Sequence, residues 1–533
     1  MRRLFFLLFV MATPLIFFVG CTKKAAPKNQ QRLNLNIGVD PRTVDPRVGG
    51  DNHSAFLIRH LFDGLMRIDE AGKPVCALAK QVDISDDFRT YTFHLRSAKW
   101  SNGAPITAHD FVYSWKSVLN PKFMTDFTYE LYPIRGAKAA SLGEGPLDAV
   151  GITAADERTL IVELERPTAY FLESVAHTVF MPICSENEKR HPHWMTKAGK
   201  YFVTSGAFAL DTWRHSDEMV LKKNPAYWDK NQVQLEEIHC FMVNNHLAQL
   251  DMFKNGEIDW VGDPCFSMPK ELMYELKSEV GLTFFDTPGV SLVNFNTVKG
   301  ITTNLNIRKA LSLAIDREAI AEQVTQSEET PWTSLLPPSQ ALQQEPYFPL
   351  HDAKEARRLF DIGLQELGLK REDLKPLRLM FAGSTGKTKF AETLQQQWEE
   401  TLGITVHLDN FEWKVFFDYA TTAEYDTCLW SWTSELTDPI YNLEVFKDRN
   451  SLNLAKWHNP KFTDLLQQAE IETNGAKRLE LLHDAERVLL SEMPVAPVTD
   501  CKDHFICSKR LKGVVISKMG LIDMRMAYIE EDE

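Results

Sequence analysis

The sequence predicts an α/β protein of two to four domains or lobes, and three observations support this. Its 533 residues exceed what one domain of about 100 to 200 residues would use. Segments in which apolar residues alternate with polar ones predict strands, and segments in which apolar residues recur every three or four positions predict helices. The two patterns follow one another along the chain, as they do in α/β construction.

The first element is a predicted secretory signal over residues 1–20. Two arginines precede an almost wholly apolar run over 4–19, which is shorter than the about 20 residues that span a bilayer. The run ends in Phe18-Val19-Gly20-Cys21, which resembles the lipobox of bacterial lipoproteins. We therefore expect a lipid on Cys21, a polar tether over 21–32 and an extracytoplasmic body. An uncleaved anchor and a plain signal peptide are the alternatives.

Strands are predicted in the first third of the folded part. Apolar residues alternate with other residues over 33–39, 91–95 and 160–164. Turns are marked by Asp63-Gly64 and Asn102-Gly103. These signals predict that a sheet begins almost directly after the tether.

Helices are predicted among strands in the second half. Apolar residues recur at three and four positions over 307–320 and again over 476–490. A helix over 394–402 is expected to stop at Gly403, and a strand over 404–408 follows it. No internal repeat or low-complexity block interrupts this alternation.

Composition and charge exclude several classes of protein. Hydrophobic residues make up 44% and charged residues 25%, which is typical of a folded globular protein and not of a disordered or multi-span membrane protein. The formal net charge of −14 gives no basis for holding nucleic acid over a broad surface. Of eight cysteines, seven remain if Cys21 is acylated, so at least one thiol of an exported chain stays free.

Motifs for catalysis and cofactor binding are missing from the sequence. Gly386-Lys387-Thr388 ends like a phosphate-binding loop, but Phe381 stands where that loop needs Gly. No GxSxG, HExxH or GxGxxG pattern occurs. His191 and His193 lack a Cys or carboxylate at ligand spacing, so we interpret them as surface histidines. We expect no enzyme activity, no cofactor and no metal site.

One segment, 412–438, is rich in aromatic residues and carboxylates. Aromatic rings supply apolar contact at low entropy cost, and a carboxylate among them can hold a ligand ammonium. The pattern is typical of the wall of a ligand cleft, and equally of an aromatic core seam with acids on its surface. The residues are Trp413, Phe416, Phe417, Tyr419, Tyr425, Trp430 and Trp432, with Glu412, Asp426, Glu435 and Asp438.

Several separate motifs, in order over essentially the whole mature chain, resemble one family. The most specific block is Lys99-Trp100-Ser101-Asn102-Gly103 followed by Thr107-Ala108-His109-Asp110-Phe111-Val112-Tyr113-Ser114-Trp115; others are Leu61-Phe62-Asp63-Gly64-Leu65, Lys223-Asn224-Pro225-Ala226-Tyr227-Trp228 and Gly256-Glu257-Ile258-Asp259. With these blocks the chain is similar to the bacterial extracellular solute-binding proteins of the peptide/nickel type, and most of all to oligopeptide-binding lipoproteins.

The resemblance implies a two-lobed periplasmic-binding-protein fold of type II, from the large peptide-binding cluster, with an extra domain and a ligand cleft between the lobes. It also implies a monomeric substrate-binding subunit of an ABC importer, with an oligopeptide as ligand and membrane permease and ATPase subunits as partners. The expected parts are 1–20 for the signal peptide, 21–32 for the tether, 33–62, 191–285 and 501–533 for lobe I, 63–190 for the additional domain and 286–500 for lobe II.

The resemblance also implies an ammonium site. In the family, a segment of the form Trp-x-x-Asp-x-x-Asp/Glu-Pro supplies an acid that pairs with the α-ammonium of the ligand. Here the segment begins at Trp432, and Glu435 stands at the place of that acid. Asp438 stands at the second acidic place and is also expected at the ligand.

Other expected ligand contacts are more dispersed. Trp413 and Trp432 match positions that wall side-chain pockets, and Asn296 matches a segment that runs along the bound peptide. The basic residues that hold the ligand's carboxyl terminus in some relatives are absent here. We expect Lys387, or Lys389, to take that role.

Three other functions stay open from the sequence. Within the same fold, the ligand could be specialised: a dipeptide, a glutathione-like or cell-wall peptide, or a nickel chelate. An extracytoplasmic hydrolase would need a nucleophile and a base that no motif marks. A structural envelope lipoprotein would bind no peptide at all.

Overall fold

The computed structural model describes residues 31–530 except 50–51, 126, 270–271, 273–280, 326, 384, 449 and 451. The predicted signal peptide, Cys21 and most of the predicted tether lie outside the described residues. Arg32, which we assigned to the tether, is the first residue of a strand. Among the helices that the structure describes, none combines the length and the apolar character needed to cross a membrane.

Twenty strands are described. The first eleven are β1 Arg32–Asn36, β2 Met66–Ile68, β3 Pro74–Cys76, β4 Ala79–Ile84, β5 Thr90–Leu95, β6 Ile152–Asp156, β7 Thr159–Glu163, β8 Phe208–Arg214, β9 Glu218–Lys223, β10 Glu237–Phe241 and β11 Trp260–Gly262. The others are β12 Thr283–Phe295, β13 Leu377–Ala382, β14 Val406–Phe411, β15 Thr427–Thr433, β16 Val495–Cys507, β17 Leu511–Lys512, β18 Val515–Ile516, β19 Ile522–Asp523 and β20 Tyr528–Ile529.

The helices lie between these strands. Those of the first half are α1 Asn52–Leu61, α2 Ala108–Val118, α3 Ala137–Ser141, α4 Phe171–Ser174, α5 Ser185–Arg190 and α6 His246–Lys254. Those of the second half are α7 Leu305–Leu313, α8 Arg317–Ala319, α9 Ala353–Leu367, α10 Thr385–Leu402, α11 Trp413–Thr421, α12 Ile440–Glu444, α13 Pro460–Ile471 and α14 Gly475–Glu492. The predicted α/β class is confirmed.

A ten-stranded mixed sheet runs through the whole fold. Its order is β14-β13-β15-β12-β16-β11-β1-β10-β9-β8. At its centre β12 and β16, each of thirteen residues, pair antiparallel from Thr283↔Phe505 to Asn294↔Val495. A separate four-stranded sheet, β4-β5-β7-β6, lies within the range predicted for the additional domain.

Two groups of buried apolar residues lie on either side of the sheet centre. The first takes most of its members from 33–242 and 511–529, and we call the part of the protein built around it body A. The second takes its members from 290–498, in two adjoining clusters, and we call that part body B. Among the described strands, β12 and β16 each contribute residues to both bodies, so they join body A to body B.

Most predicted elements are confirmed, with one difference. The helix predicted over 307–320 is broken, because Asp316 caps a new helix by accepting a hydrogen bond from the Ala319 amide at 3.0 Å. The next side chain, Arg317, is fully buried and donates to the backbone oxygens of Ser312 and Pro497 at 3.0 and 2.8 Å. Those bonds satisfy the buried guanidinium and fix the break.

Candidate functional site

A cavity of about 770 Å³ lies between the two bodies. Its size falls in the range of about 300 to 1,000 Å³ that is usual for ligand sites. Body A, body B and the two long strands all contribute to its walls. The lining residues that matter below are Arg59, Glu130, Glu173, His177, Thr287, Pro288, Ser291, Lys387, Ser431, Thr433, Glu435, Cys501 and Lys502.

The long strands are irregular where they pass the cavity. The register of β12 against β16 shifts between Thr287 and Val290, which leaves Pro288 and Gly289 in a bulge. A Cβ atom on Gly289 would lie 3.0 Å from the Cβ of Cys501, closer than real side chains approach one another comfortably. Glycine therefore lets the two strands stay close at the point where the chain passes from one body to the other.

The cavity wall of body B includes a free strand edge. On one side β15 pairs with β12 along Thr427–Thr433, whereas on the other side it pairs with β13 only at Thr427, Cys428 and Leu429. In the part of the chain that the structure describes, no strand pairs with the remaining edge of β15. An extended ligand could add to such an edge through main-chain hydrogen bonds.

Glu435 lies just past the end of β15, and its side chain is exposed to the cavity. The hydroxyl of Tyr441 donates to its carboxylate. Crowding by the surrounding protein raises the pKa of Glu435, and the charge of Glu130 raises it further, while His177 and Tyr441 oppose the shift. A ligand cation at this place would favour the ionised form of Glu435.

His177 is held between Glu130 and Glu435. Its Nδ1 lies 2.8 Å from a carboxylate oxygen of Glu130, and its Nε2 lies 3.0 Å from the backbone oxygen of Glu435. Both partners are acceptors, so both ring nitrogens must donate and the imidazole is protonated. Burial alone would lower the pKa of His177, but the Glu130 and Glu435 charges and these bonds raise it to about 9.

The three groups have the spacing of a metal site but favour another role. Ligand atoms of Glu130, His177 and Glu435 lie within 4.8 Å of one another. A histidine that donates from both nitrogens has no lone pair for a metal. The imidazolium offsets the charge of Glu130, so Glu435 is left as the net negative charge of this cluster.

Lys387 reaches the cavity from α10. Its Nζ lies 2.5 Å from the hydroxyl oxygen of Ser431, which lies 3.1 Å from the hydroxyl oxygen of Ser291. The structure thus places Lys387 and Glu435 in one cavity. Lys389, the alternative to Lys387, is exposed and lies 3.4 Å from the backbone oxygen of Gln323, and it does not line this cavity.

The two predicted tryptophans lie in a row of aromatic rings in body B, and neither is part of the cavity lining. Trp432 donates from Nε1 to the amide oxygen of Asn442 at 2.7 Å and stacks on Tyr441 with ring centres 6.2 Å apart. Trp413 begins α11, is 55% exposed and packs edge-on against Trp430. The aromatic segment therefore forms a seam in body B that ends, through Tyr441, at Glu435.

The structure places Asn296 away from the cavity. The residue is fully buried, and its amide donates to the backbone oxygens of Ala423 and Tyr425 at 3.0 and 2.8 Å. Its carbonyl oxygen accepts from the Val298 amide at 3.0 Å. These bonds fix the turn after β12 and hold the Asn296 side chain outside the lining of the cavity, so its contact with a ligand stays a prediction.

Asp438 is likewise engaged within body B. Its two carboxylate oxygens accept from Nη1 and Nη2 of Arg478 at 2.7 and 3.0 Å, and both side chains are at most 10% exposed. One of the oxygens also accepts from the Ile440 amide. Asp438 therefore anchors the loop that carries Glu435 and does not line the cavity, and its role as a ligand contact stays a prediction.

Three residues at the site, Glu130, Glu173 and His177, were not predicted from the sequence. Glu130 and His177 come from body A, about 300 and 260 positions before Glu435. Glu173 accepts from the Thr437 amide at 2.8 Å and so contacts the same loop. No motif or spacing links these segments, and only the fold brings them together.

The sequence and the structure of this chain are similar to known binding proteins. Residues 73–453 match the model of the bacterial extracellular solute-binding proteins, family 5 Middle. The chain is 39% identical over 513 residues to the oligopeptide-binding protein OppA of Bacillus subtilis, covering 95% of this chain and 94% of that protein. It is 32% identical over 524 residues to the dipeptide-binding protein DppE of the same species, covering 95% and 94%.

Solved structures show the same fold. The murein tripeptide-binding protein MppA in its unliganded open form superposes with a TM-score of 0.81 at 29% identity, covering 94% of this chain and 97% of that one. OppA of Haemophilus influenzae, in complex with the peptide RPPGFSPFR, gives a TM-score of 0.75 at 25% identity, covering 94% and 99%. The expected two-lobed architecture of type II is confirmed by these likenesses.

Proposed function

Because the chain belongs to the bacterial extracellular solute-binding proteins of family 5, we propose that it captures oligopeptides in its cavity and delivers them to the permease of an ABC importer. The observation that carries this proposal is the free edge of β15 next to the cavity. A peptide bound there in extended form is held mainly by its backbone, which makes recognition tolerant of side-chain identity.

In this proposal Glu435 pairs with the α-ammonium of the peptide. Its carboxylate is exposed to the cavity at the end of the free strand edge. Lys387, which reaches the same cavity, is our candidate for the carboxyl terminus. For Trp413 and Trp432 to contact side chains of the peptide, as we predict, their rings must turn from the aromatic seam toward the cavity.

We further propose that the chain is an extracytoplasmic lipoprotein without catalytic activity. The support is the Phe18-Val19-Gly20-Cys21 segment and the lack of catalytic motifs in the sequence. Metabolic labelling with a palmitate analogue tests the anchor. Label should enter the wild-type chain and not Cys21→Ser; equal labelling of both would refute lipidation at Cys21.

Native mass spectrometry of the full chain, purified without denaturation from the expressing cells, tests the ligand class. Closure around the ligand favours retention of peptides from the host. A spread of adducts at peptide masses is expected. A single adduct of another mass would indicate a specialised ligand, such as a dipeptide or a cell-wall peptide. A protein that carries no adduct and binds no added peptide would contradict the proposal.

A further inference from the structure

Arg59 is a cation of the cavity wall that has no part in the proposed ammonium site. It lies in the last turn of α1 in body A and lines the cavity. Its side chain is partly exposed to the cavity, while its Nε is shielded from solvent. Glu435 lies in body B, so the two opposite charges are carried by different bodies.

Arg59 has no hydrogen-bond acceptor among the described residues. Its buried Nε lacks a partner, and none of its other donors forms a hydrogen bond or an ion pair with the chain that the structure describes. The nearby acid, Asp523, is taken up by Arg525, whose Nε lies 2.9 Å from both carboxylate oxygens. Asp63 also faces Arg525, at 3.6 Å.

Other cations of the cavity, unlike Arg59, form hydrogen bonds or ion pairs with the protein. Lys387 bonds to Ser431 at 2.5 Å, and Lys502 pairs with Asp286 at 2.6 Å. His177 contacts Glu130 at 2.8 Å. These side chains are positioned by the protein itself, whereas the donors of Arg59 remain available to an incoming group.

An unsatisfied guanidinium in such a place destabilises the protein unless a ligand satisfies it. Burial lowers the pKa of Arg59 to about 10, so the group is still protonated at neutral pH. A buried donor without an acceptor costs free energy because its hydration is lost and not replaced. Such unpaired, perturbed groups in clefts are typical of functional sites.

We propose that Arg59 receives a carboxylate of the bound ligand. The planar fork of a guanidinium matches a carboxylate and can bind it through two parallel hydrogen bonds. The carboxylates of Glu130, Glu173 and Glu435 in the same cavity disfavour a ligand with high negative charge. A single carboxylate is therefore the fitting partner, and it could belong to an acidic side chain or to the ligand's carboxyl terminus.

This inference rests on the proposed function and makes peptide charge a determinant of affinity. The test compares wild type with Arg59→Met, which keeps an apolar stem but removes the charge, and with Arg59→Lys. Arg135→Met, the same substitution at an exposed arginine of body A that does not line the cavity, is the control. Calorimetry measures binding of tetra-alanine, of tetra-alanine with glutamate at each position in turn, and of tetra-alanine amide.

The expected result depends on the source of the carboxylate. If it is a side chain, one glutamate peptide loses about 10- to 100-fold in affinity with Arg59→Met while tetra-alanine is unaffected. If it is the terminus, tetra-alanine loses affinity and its amide does not. Arg59→Lys should retain part of the preference, and Arg135→Met should leave it unchanged. Equal affinities of wild type and Arg59→Met for every peptide, or an equal loss for all of them, would overturn the inference.

A second measurement separates this inference from the proposed function. Acetate, at constant ionic strength maintained with chloride, should raise the thermal unfolding temperature of wild type more than that of Arg59→Met. This readout needs no peptide. If wild type binds no peptide but shows the difference in acetate, the peptide proposal fails and the carboxylate site stands. If acetate raises the unfolding temperature of both proteins equally, the carboxylate site is refuted.

Discussion

His177 and Glu435 link the two bodies across the cavity, with Nε2 of the imidazole donating to the backbone oxygen of Glu435 at 3.0 Å. The contact is made by the loop that also presents the Glu435 carboxylate to the cavity. One side chain of body A therefore contacts the loop of body B that carries Glu435. A separation of the bodies at this point would break this bond.

Replacement of Glu435 by glutamine should weaken peptide binding. Loss of one partner of a desolvated charge pair costs about 2 to 5 kcal/mol. Glutamine keeps the shape and the acceptor for Tyr441 and removes only the charge. Calorimetry with a peptide and with its N-acetylated form measures the effect, and Glu424→Gln, an exposed acid paired with Lys299, is the control. Equal binding of the free peptide by wild type and Glu435→Gln would exclude this role.

The contribution of His177 to stability should depend on pH. Its pKa in the folded protein, about 9, lies above its usual value of about 6.5, so its stabilisation is fully present below pH 6.5 and is lost as pH rises through 9. His177→Gln should therefore be less stable than wild type by up to about 3 kcal/mol at pH 6 and by little at pH 10.

Urea unfolding at pH 6, 7.5, 9 and 10 measures this difference. His193→Gln, at an exposed position, is the control and should follow wild type. The groups that face His177 are Glu130, Glu435 and, through Glu435, Tyr441. A difference between His177→Gln and wild type that stays constant over the whole range would show that the imidazole is not protonated as inferred.

An ion pair outside the cavity should influence affinity through closure. Arg166, which follows β7, lies 2.6 Å from the carboxylate of Glu470 on α13 and so joins body A to body B. Such partly exposed pairs contribute about 0.2 to 1 kcal/mol. Arg166→Ala should therefore raise the apparent Kd of a peptide up to about fivefold, because the closed form becomes less populated.

The salt dependence of the Kd shows whether loss of the ion pair causes the change in Arg166→Ala. The difference between Arg166→Ala and wild type should shrink at 0.5 M NaCl, since salt screens exposed pairs. Arg135→Ala is the control, because Arg135 pairs with Glu163 within body A and does not bridge the bodies. If both variants changed the Kd alike, the pair would have no special part in closure.

Asp438→Asn should reduce stability and leave peptide affinity intact. The substitution leaves the buried guanidinium of Arg478 without its charged partner, which costs about 3 to 5 kcal/mol in such pairs. Unfolding in urea measures the loss, with the exposed Asp484→Asn as control. A folded Asp438→Asn with unchanged stability and weaker peptide binding would instead support Asp438 as a ligand contact.

Sequence patterns predicted the individual elements well where local rules decide them. Alternation identified β1, whose Leu33 and Leu35 are fully buried, and Gly403 marked the end of α10 with a positive φ of 63°. The break between α7 and α8 was not predicted, because it depends on the buried bonds of Arg317 to backbone oxygens as far away as Pro497.

The candidate site was predictable only in part. Glu435 was predicted from a motif, and Lys387 was predicted as the substitute for a basic residue that this chain lacks. Both line the cavity. Asn296 and Asp438 were also predicted from positions that match the family, yet their polar atoms form hydrogen bonds inside body B. A motif shows which residues are near a site, but not whether a given side chain faces the ligand or holds the loop.

The sequence by itself determined the α/β class and most elements, because hydrophobic periodicity and turn residues act over a few positions. The family followed from the resemblance of its motifs. The tertiary structure alone decided the electrostatics of the site. It brought Glu130, His177 and Glu435 within 4.8 Å and left Arg59 without an acceptor among the described residues. Charge interactions depend on distance and on the loss of water, and neither can be read from positions that lie hundreds of residues apart.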